Sequence, residues 1–230
     1  TFFCYFPFEE DVAMYQFATA ARFSFIGLML IAFLSVCWAE AAAQEPTVVR
    51  VEEDWELVIG DPDQQTDAPQ IVCVISPQGD VASIYQAFEL NGRSLPSFGS
   101  GGLQLQVWDG DVTLSNRTHP NGLRMQEAGE TVDWTQCMSL SDGKLTFEID
   151  NGVSSTWAGF GGQGYLKASV DTTLENLNGY NPEVSVNNSG VSYAANRVQS
   201  LVLKRVRIYM SDGQVFEDNT ERVVHSLAAP

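Results

Sequence analysis

Glu148 and Asp150 stand two residues apart in Leu145-Thr-Phe-Glu-Ile-Asp-Asn-Gly, interleaved with Leu145, Phe147 and Ile149. In an extended chain successive side chains alternate between faces, so both carboxylates share one side and the three apolar residues take the other. Two acids on one face are the apparatus of a retaining glycoside hydrolase, where a nucleophile and an acid/base stand about 5 Å apart. Asp61, Asp63 and Asp67 form a second acidic group in a loop-like stretch that suits a hard cation such as Ca²⁺. The stretch departs from the EF-hand pattern, with Gln65 in place of an acid, Thr66 in place of the glycine and Val72 in place of the closing glutamate. A structural Ca²⁺ in a loop is kept open, and no other cofactor is expected. Zinc is disfavoured, because His119 and His225 are the two histidines and show no ligand spacing. There is no G-x-S-x-G elbow, and neither Gly99–Gly102 nor Gly159–Gly164 has the spacing of a phosphate-binding loop.

The Glu148–Asp150 segment resembles part of the E-x-D-x-x-E motif of the laminarinase-type jelly-roll glycosidases. The resemblance is confined to those two positions. Val153 stands where the final glutamate belongs, and Ser154 fills its place in the variant with one extra residue. The resemblance implies a jelly roll that lacks the acid/base of that family. Aromatic residues offer other chemistry: Trp55, Trp108, Trp134 and Trp157, with Tyr165, Tyr180, Tyr193 and Tyr209. Exposed beside amides, as in Asn176-Leu-Asn-Gly-Tyr-Asn181, such rings stack on sugars; buried, they anchor a core. Lys204, Arg205 and Arg207 form the basic cluster of the chain, with Arg205, Arg207 and Tyr209 on one face, and their expected task is to neutralise nearby carboxylates.

The elements that must position these groups read as strands. Asn-Gly or Asp-Gly pairs begin at Asn91, Asp109, Asn121, Asp142, Asn151, Asn178 and Asp212, and such pairs accept the positive φ angles of tight hairpins. Between them lie period-two stretches: Leu103/Leu105/Val107, Leu145/Phe147/Ile149 and Val202/Val206/Ile208/Met210. Gln44 to Gln70 is expected to wrap an edge, with Trp55–Ile59 as its one strand, and Thr173–Leu177 to form at most one helical turn. The fold class is all-β: an antiparallel β-sandwich, jelly-roll-like, forming a single domain over 44–230 after an N-terminal signal peptide.

The leader is read from Arg22, the apolar run Phe23–Ala39 and the small residues after it. The run is shorter than the ~20 apolar residues of a spanning helix, so no stable membrane span is expected after cleavage. Met14 gives a clean start, and 1–13, with Glu9, Glu10 and Asp11, reads as upstream translation or a fragment edge. The exit fits Ala39-x-Ala41 or Ala41-x-Ala43, and the second places cleavage between Ala43 and Gln44. A retained anchor and a lipoprotein are the rivals; Leu34-Ser-Val-Cys37 resembles a lipobox, but Val36 stands where a small residue belongs. The expected location is secreted, periplasmic or at the cell surface. Two cysteines, Cys73 and Cys137, follow the leader, and in an oxidising compartment they are expected to join, a link worth about 4 kcal/mol in the chain-entropy model.

The chain of 230 residues has a formal net charge of −17, which repels phosphate backbones and anionic head groups and so excludes nucleic acid as a partner. The favoured function is an exported, non-enzymatic binding or cell-envelope interaction module, with polysaccharide as the ligand or partner class. A glycan-active enzyme on a jelly-roll sandwich and a structural or adhesive envelope subunit are the alternatives.

Overall fold

A computed structural model describes residues 45–60, 69–90, 102–119, 127–156 and 158–227. The leader and its Ala43/Gln44 junction, the Asp61/Asp63/Asp67 stretch, Trp157 and the pairs Asn91-Gly92 and Asn121-Gly122 lie outside the described residues.

Two antiparallel sheets form a β-sandwich, with strands numbered here in chain order. The larger, of eight strands, runs β12 (Val215–Asp218), β11 (Val198–Met210), β1 (Val48–Ile59), β6 (Thr131–Ser141), β7 (Lys144–Ser154) and β8 (Ala158–Phe160). In it β13 (Arg222–Ser226) also pairs with β11, and β9 (Lys167–Asp171) with β7. The smaller, of five strands, runs β10 (Gly190–Tyr193), β2 (Gln70–Ile75), β3 (Ile84–Leu90), β4 (Leu103–Asp109) and β5 (Val112–His119). Alternation drives the packing. Val51, Trp55, Leu57 and Ile59 of β1, with Leu145, Phe147 and Ile149 of β7, turn inward against Ile71, Phe88, Leu90 and Leu105 of the small sheet. Trp55 and Trp134 stack at 6.3 Å, and Phe88 meets Trp134 edge-on at 5.9 Å, joining the two layers.

The Asp-Gly pairs behave as hairpin turns. Asp142 and Gly143 both take positive φ, 52° and 70°, between β6 and β7; Gly110 (54°) and Gly213 (88°) turn β4 into β5 and β11 into β12. Asn151-Gly152 does not turn the chain. It lies inside β7, where Asn151 has φ 52° and the register against β6 shifts between Asp133 and Thr135, a β-bulge that lets the strand run on to Ser154.

Four further expectations are corrected. The 44–70 segment supplies a central strand rather than an edge: β1 is 12 residues long and lies between β11 and β6. Its outward acids Glu52, Asp54 and Glu56 meet bases of β11, so acidity does not force it to the rim. In β11 a register shift opposite Asp54/Trp55 adds a residue, so Leu201 and Leu203 point inward before the shift and Val206 after it. Val202 therefore lies off the core face. The helix is α1 (Pro182–Asn188), not Thr173–Leu177: Asn181 caps it by accepting the Glu183 N–H at 3.0 Å, and proline fills the first position, where no N–H is needed.

The fourth correction concerns the cysteines, which are both free thiols. Cys73 points into the core beside Ile71 and Ile75. Cys137 lies between the inward-facing Gln136 and Met138, so strand parity turns it to the opposite, outer face of the large sheet, where an Arg50 Nη contacts its sulfur at 3.9 Å. One thiol is inside the sandwich and the other outside it, which forbids the bond. Burial and the neighbouring acids, Glu52 first, push the Cys137 thiol up to about 12, and burial raises Cys73 well above its ordinary value, so both stay protonated and unreactive.

Candidate functional site

Glu148 and Asp150 do share the outer face of β7, as alternation requires, and each is engaged by a neighbouring group. Lys167, opposite Glu148 on β9, closes an ion pair of 2.7 Å with it. Asp150 folds back to accept the Asn151 N–H at 2.7 Å and lies against Gly162, where a Cβ would collide with Asp150 Oδ1. The rest of this face is a lattice of neutralised charge. Arg205 and Arg207 both bind Asp54, Arg207 also binds Glu52 at 2.9 Å, and Lys204 binds Glu221 at 2.5 Å and reaches Glu56 at 3.7 Å. Tyr209 donates to Glu52 at 2.8 Å. The basic cluster neutralises carboxylates, as its spacing suggests. A shallow groove of about 380 Å³ crosses the face between Asp133, Thr135, Asn151 and Lys204, without Glu148 or Asp150 in its wall.

A second acid is enclosed completely. Glu53 follows the inward parity of Val51 and Trp55 and has no exposed surface. Four donors converge on it: the Trp55 indole N–H (3.0 Å) and Gln136 amide (3.3 Å) on Oε2, the Tyr180 (2.8 Å) and Ser185 (2.5 Å) hydroxyls on Oε1. Gln86 donates on to Gln136 at 3.0 Å, so a polar chain links the two sheets through the core. Burial outweighs the donors and raises Glu53 from 4.5 to about 7. When the carboxyl is protonated, the proton must lie on Oε1, because the indole and amide on Oε2 can only donate while a hydroxyl can turn and accept. Nothing enters this site from solvent, so its role is to tie β1 to α1.

The outer face of the small sheet differs from both. Its cross-strand register sets three rows side by side: Val72–Glu89–Gln104–Thr118, then Val74–Ala87–Gln106–Asn116, then Tyr85–Trp108 with Thr113 beyond. Ala87 is the small residue in the middle. Large side chains on either side and a methyl between them leave a groove of about 290 Å³, walled by Tyr85, Trp108, Gln106 and Glu89, with Asn188 from the end of α1 at its rim. That is the low end of the ~300–1,000 Å³ of small-ligand sites. The Trp108 indole N–H donates to Gln106 Oε1 at 3.2 Å, fixing the ring, and Gln104 donates to Asn116 at 2.6 Å. Gln70 hydrogen-bonds the Glu89 carboxyl, but Oε2 of Glu89 is buried and makes no hydrogen bond among the described residues; the same holds for Gln104 Oε1 in the same row. Burial raises Glu89 to about 7.

The aromatic residues named from sequence are thus divided. Trp55 and Trp134 are core, Tyr180 serves Glu53, Tyr209 lies under Arg50 at 5.5 Å, and Tyr165 packs on His119 at 4.4 Å. Among the described ones, Trp108 alone lines the groove. Its partner Tyr85 and the acid Glu89 were not singled out, because their significance arises from the β3–β4 register rather than from any local spacing. Asn176–Asn181 makes structural bonds instead: Asn178 accepts the Val48 N–H at 2.8 Å, and Asn181 caps α1. Among the described residues no three His, Cys, Asp or Glu side chains gather in a metal-binding group; His225 contacts the Val198 carbonyl oxygen at 3.1 Å. No protein-family model matches the chain, and no curated protein matches it.

Proposed function

We propose that the protein is an exported, non-catalytic carbohydrate-binding module whose ligand lies on the outer face of the small sheet. The observation that carries this reading is the Tyr85–Trp108 cross-strand pair beside the Ala87 depression, with amide groups of Gln106 and Asn188 in reach of the same space. Aromatic surfaces supply apolar contact to a sugar ring, and fixed amides supply directed bonds to its hydroxyls. The groove size favours one or two rings engaged at a time. Export rests on the leader read from Arg22 and Phe23–Ala39.

The enzyme reading has weaker support, since Glu148 is committed to Lys167 and Asp150 to its own neighbouring backbone. The adhesive reading draws on β5, at the end of the small sheet, where Val112 and Leu114 are 62% and 43% exposed, but Arg117 on the same strand is the kind of charge that blunts edge-to-edge pairing. The test is calorimetric titration of the purified protein with β-glucan, galactan, chitin-type and sulfated algal oligosaccharides. Binding to at least one class is expected, without release of reducing ends, and Trp108→Ala should weaken it about tenfold or more while the melting temperature holds. Failure to bind any of them, or equal binding by the Trp108 variant, overturns the reading.

A further inference from the structure

Among the described residues, no base faces the acid of the groove. Glu89 brings a carboxylate to its wall, and among the described residues no Lys, Arg or His lines it. Asp111 adds a second negative charge acting on the Tyr85 hydroxyl. The large sheet makes the contrast plain: Glu52, Asp54, Glu56, Glu148 and Asp171 each have a Lys or Arg within 4 Å. Glu89 has an amide from Gln70 on one side and a buried, unbonded oxygen on the other. Two aromatic side chains stand in the same wall, and an aromatic face attracts a cation as well as a ring. Acid and aromatic groups without a base describe a receptor for positive charge.

Resting on the carbohydrate reading above, we propose that the ligand is an amino sugar oligomer whose protonated amine is received by Glu89, with Tyr85 and Trp108 against the ring that carries it. A neutral sugar can donate a hydroxyl to the Glu89 carboxyl but leaves its negative charge uncompensated. An ammonium both donates and compensates, in a charge-assisted bond about twice as strong as a neutral one. A uronic acid or sulfate ester is repelled by Glu89, by Asp111 and by a chain of net charge −17. The raised titration of Glu89 is consistent with this role: an arriving ammonium favours the ionised carboxyl, so binding below pH 7 releases a proton.

Three probes of equal length differ at one substituent: β-1,4-linked oligomers of glucosamine, N-acetylglucosamine and glucose, carrying ammonium, acetamide and hydroxyl at the same ring carbon. Titrated into the purified protein at pH 6 and low salt, the amine oligomer should bind about tenfold or more tightly than the other two. That preference should shrink as NaCl is added. Glu89→Gln should remove the preference, bringing the amine oligomer level with the two neutral ones, whereas Trp108→Ala should weaken all three. If Glu89→Gln does not fold, the wild-type ranking and its salt dependence still decide the matter. Equal binding of the three probes, or a preference that survives Glu89→Gln, overturns the amine assignment and leaves the carbohydrate reading standing. Binding of none of these or of the other oligosaccharides overturns both. Binding of trilysine as tightly as the amine oligomer overturns the sugar class and makes the ligand a basic peptide.

Discussion

Glu53 in the core and Glu89 in the groove start from the same displacement: burial raises each from 4.5 to about 7. Their surroundings then diverge. Four protein donors surround Glu53, and no solvent reaches it; Glu89 has Gln70 on one oxygen, nothing described on the other, and a groove in front of it. A perturbed carboxyl therefore does not mark a functional site by itself. What separates the two is whether the protein completes the hydrogen bonding or leaves part of it to an incoming molecule. The lattice on the large sheet is a third case, in which exposed acids are completed by bases and contribute little individually.

The largest effect should come from breaking the completed site. Glu53→Ala strands the Trp55 indole, the Gln136 amide and two hydroxyls in the core and opens a cavity, so it should destabilise the fold by about 3–5 kcal/mol. Glu53→Gln should cost far less, because Tyr180 and Ser185 can turn their hydroxyls to accept from the new amide. Urea unfolding at pH 5 measures both. Equal losses in the two variants would mean that volume, not hydrogen bonding, is what Glu53 supplies.

The next effect is its pH dependence. The folded chain holds the Glu53 proton more tightly than the unfolded chain does, so the stability this provides is full below pH 4.5 and is lost as pH rises to about 7, by about 3 kcal/mol at most. Glu89, displaced to the same value, acts in the same direction. Stability measured from pH 4.5 to 8 should fall in the wild type, and Glu53→Gln should remove a large part of the slope, with the remainder belonging to Glu89. An unchanged slope in that variant would place the titration elsewhere. At Glu89 itself the expectation reverses for substitution. Glu89→Gln should be neutral or stabilising at pH 8, by up to about 1 kcal/mol, since it removes an ionised group with an unbonded oxygen. A loss of more than that would recast Glu89 as a structural acid like Glu53.

The strands were legible because alternation is a local signal: Leu145/Phe147/Ile149 and Leu103/Leu105/Val107 face the core as their spacing demands. The Asp-Gly turns were legible for the same reason. Where a single residue is inserted, the pattern misleads, as at Asn151 in β7 and opposite Asp54 in β11, because a bulge changes parity without changing composition. The cysteine pairing failed on parity too, since compartment says that two thiols can be oxidised but not which side of a sheet each occupies. The groove was least legible. Trp108 looked no different from Trp55 or Trp134 in sequence, and Tyr85, Ala87 and Glu89 gain meaning from strands β2 and β4 laid beside them. The acidic β1 looked like an edge because its bases are supplied by β11, more than a hundred residues later.

The smallest expected effect belongs to the acids that first suggested catalysis. Glu148→Gln exchanges an exposed ion pair with Lys167 for a neutral contact, in a setting where such pairs contribute a few tenths of a kcal/mol. Asp150→Asn keeps an oxygen able to accept the Asn151 N–H that Asp150 Oδ1 receives at 2.7 Å. Both variants should therefore stay within about 0.5 kcal/mol of the wild type in urea unfolding, and both should bind glycans as the wild type does, because neither lies in the wall of the small-sheet groove. Val153 bears on the same point: it is 53% exposed, so the position that resembles a missing acid/base carries a methyl pair facing solvent. Restoring a carboxylate with Val153→Glu would add an acid to the same strand as Glu148 without freeing Glu148 from Lys167, and should create no hydrolysis. Turnover of β-glucans by the wild type that disappears in both Glu148→Gln and Asp150→Asn, with the fold intact, would move the functional face from the small sheet to the large one.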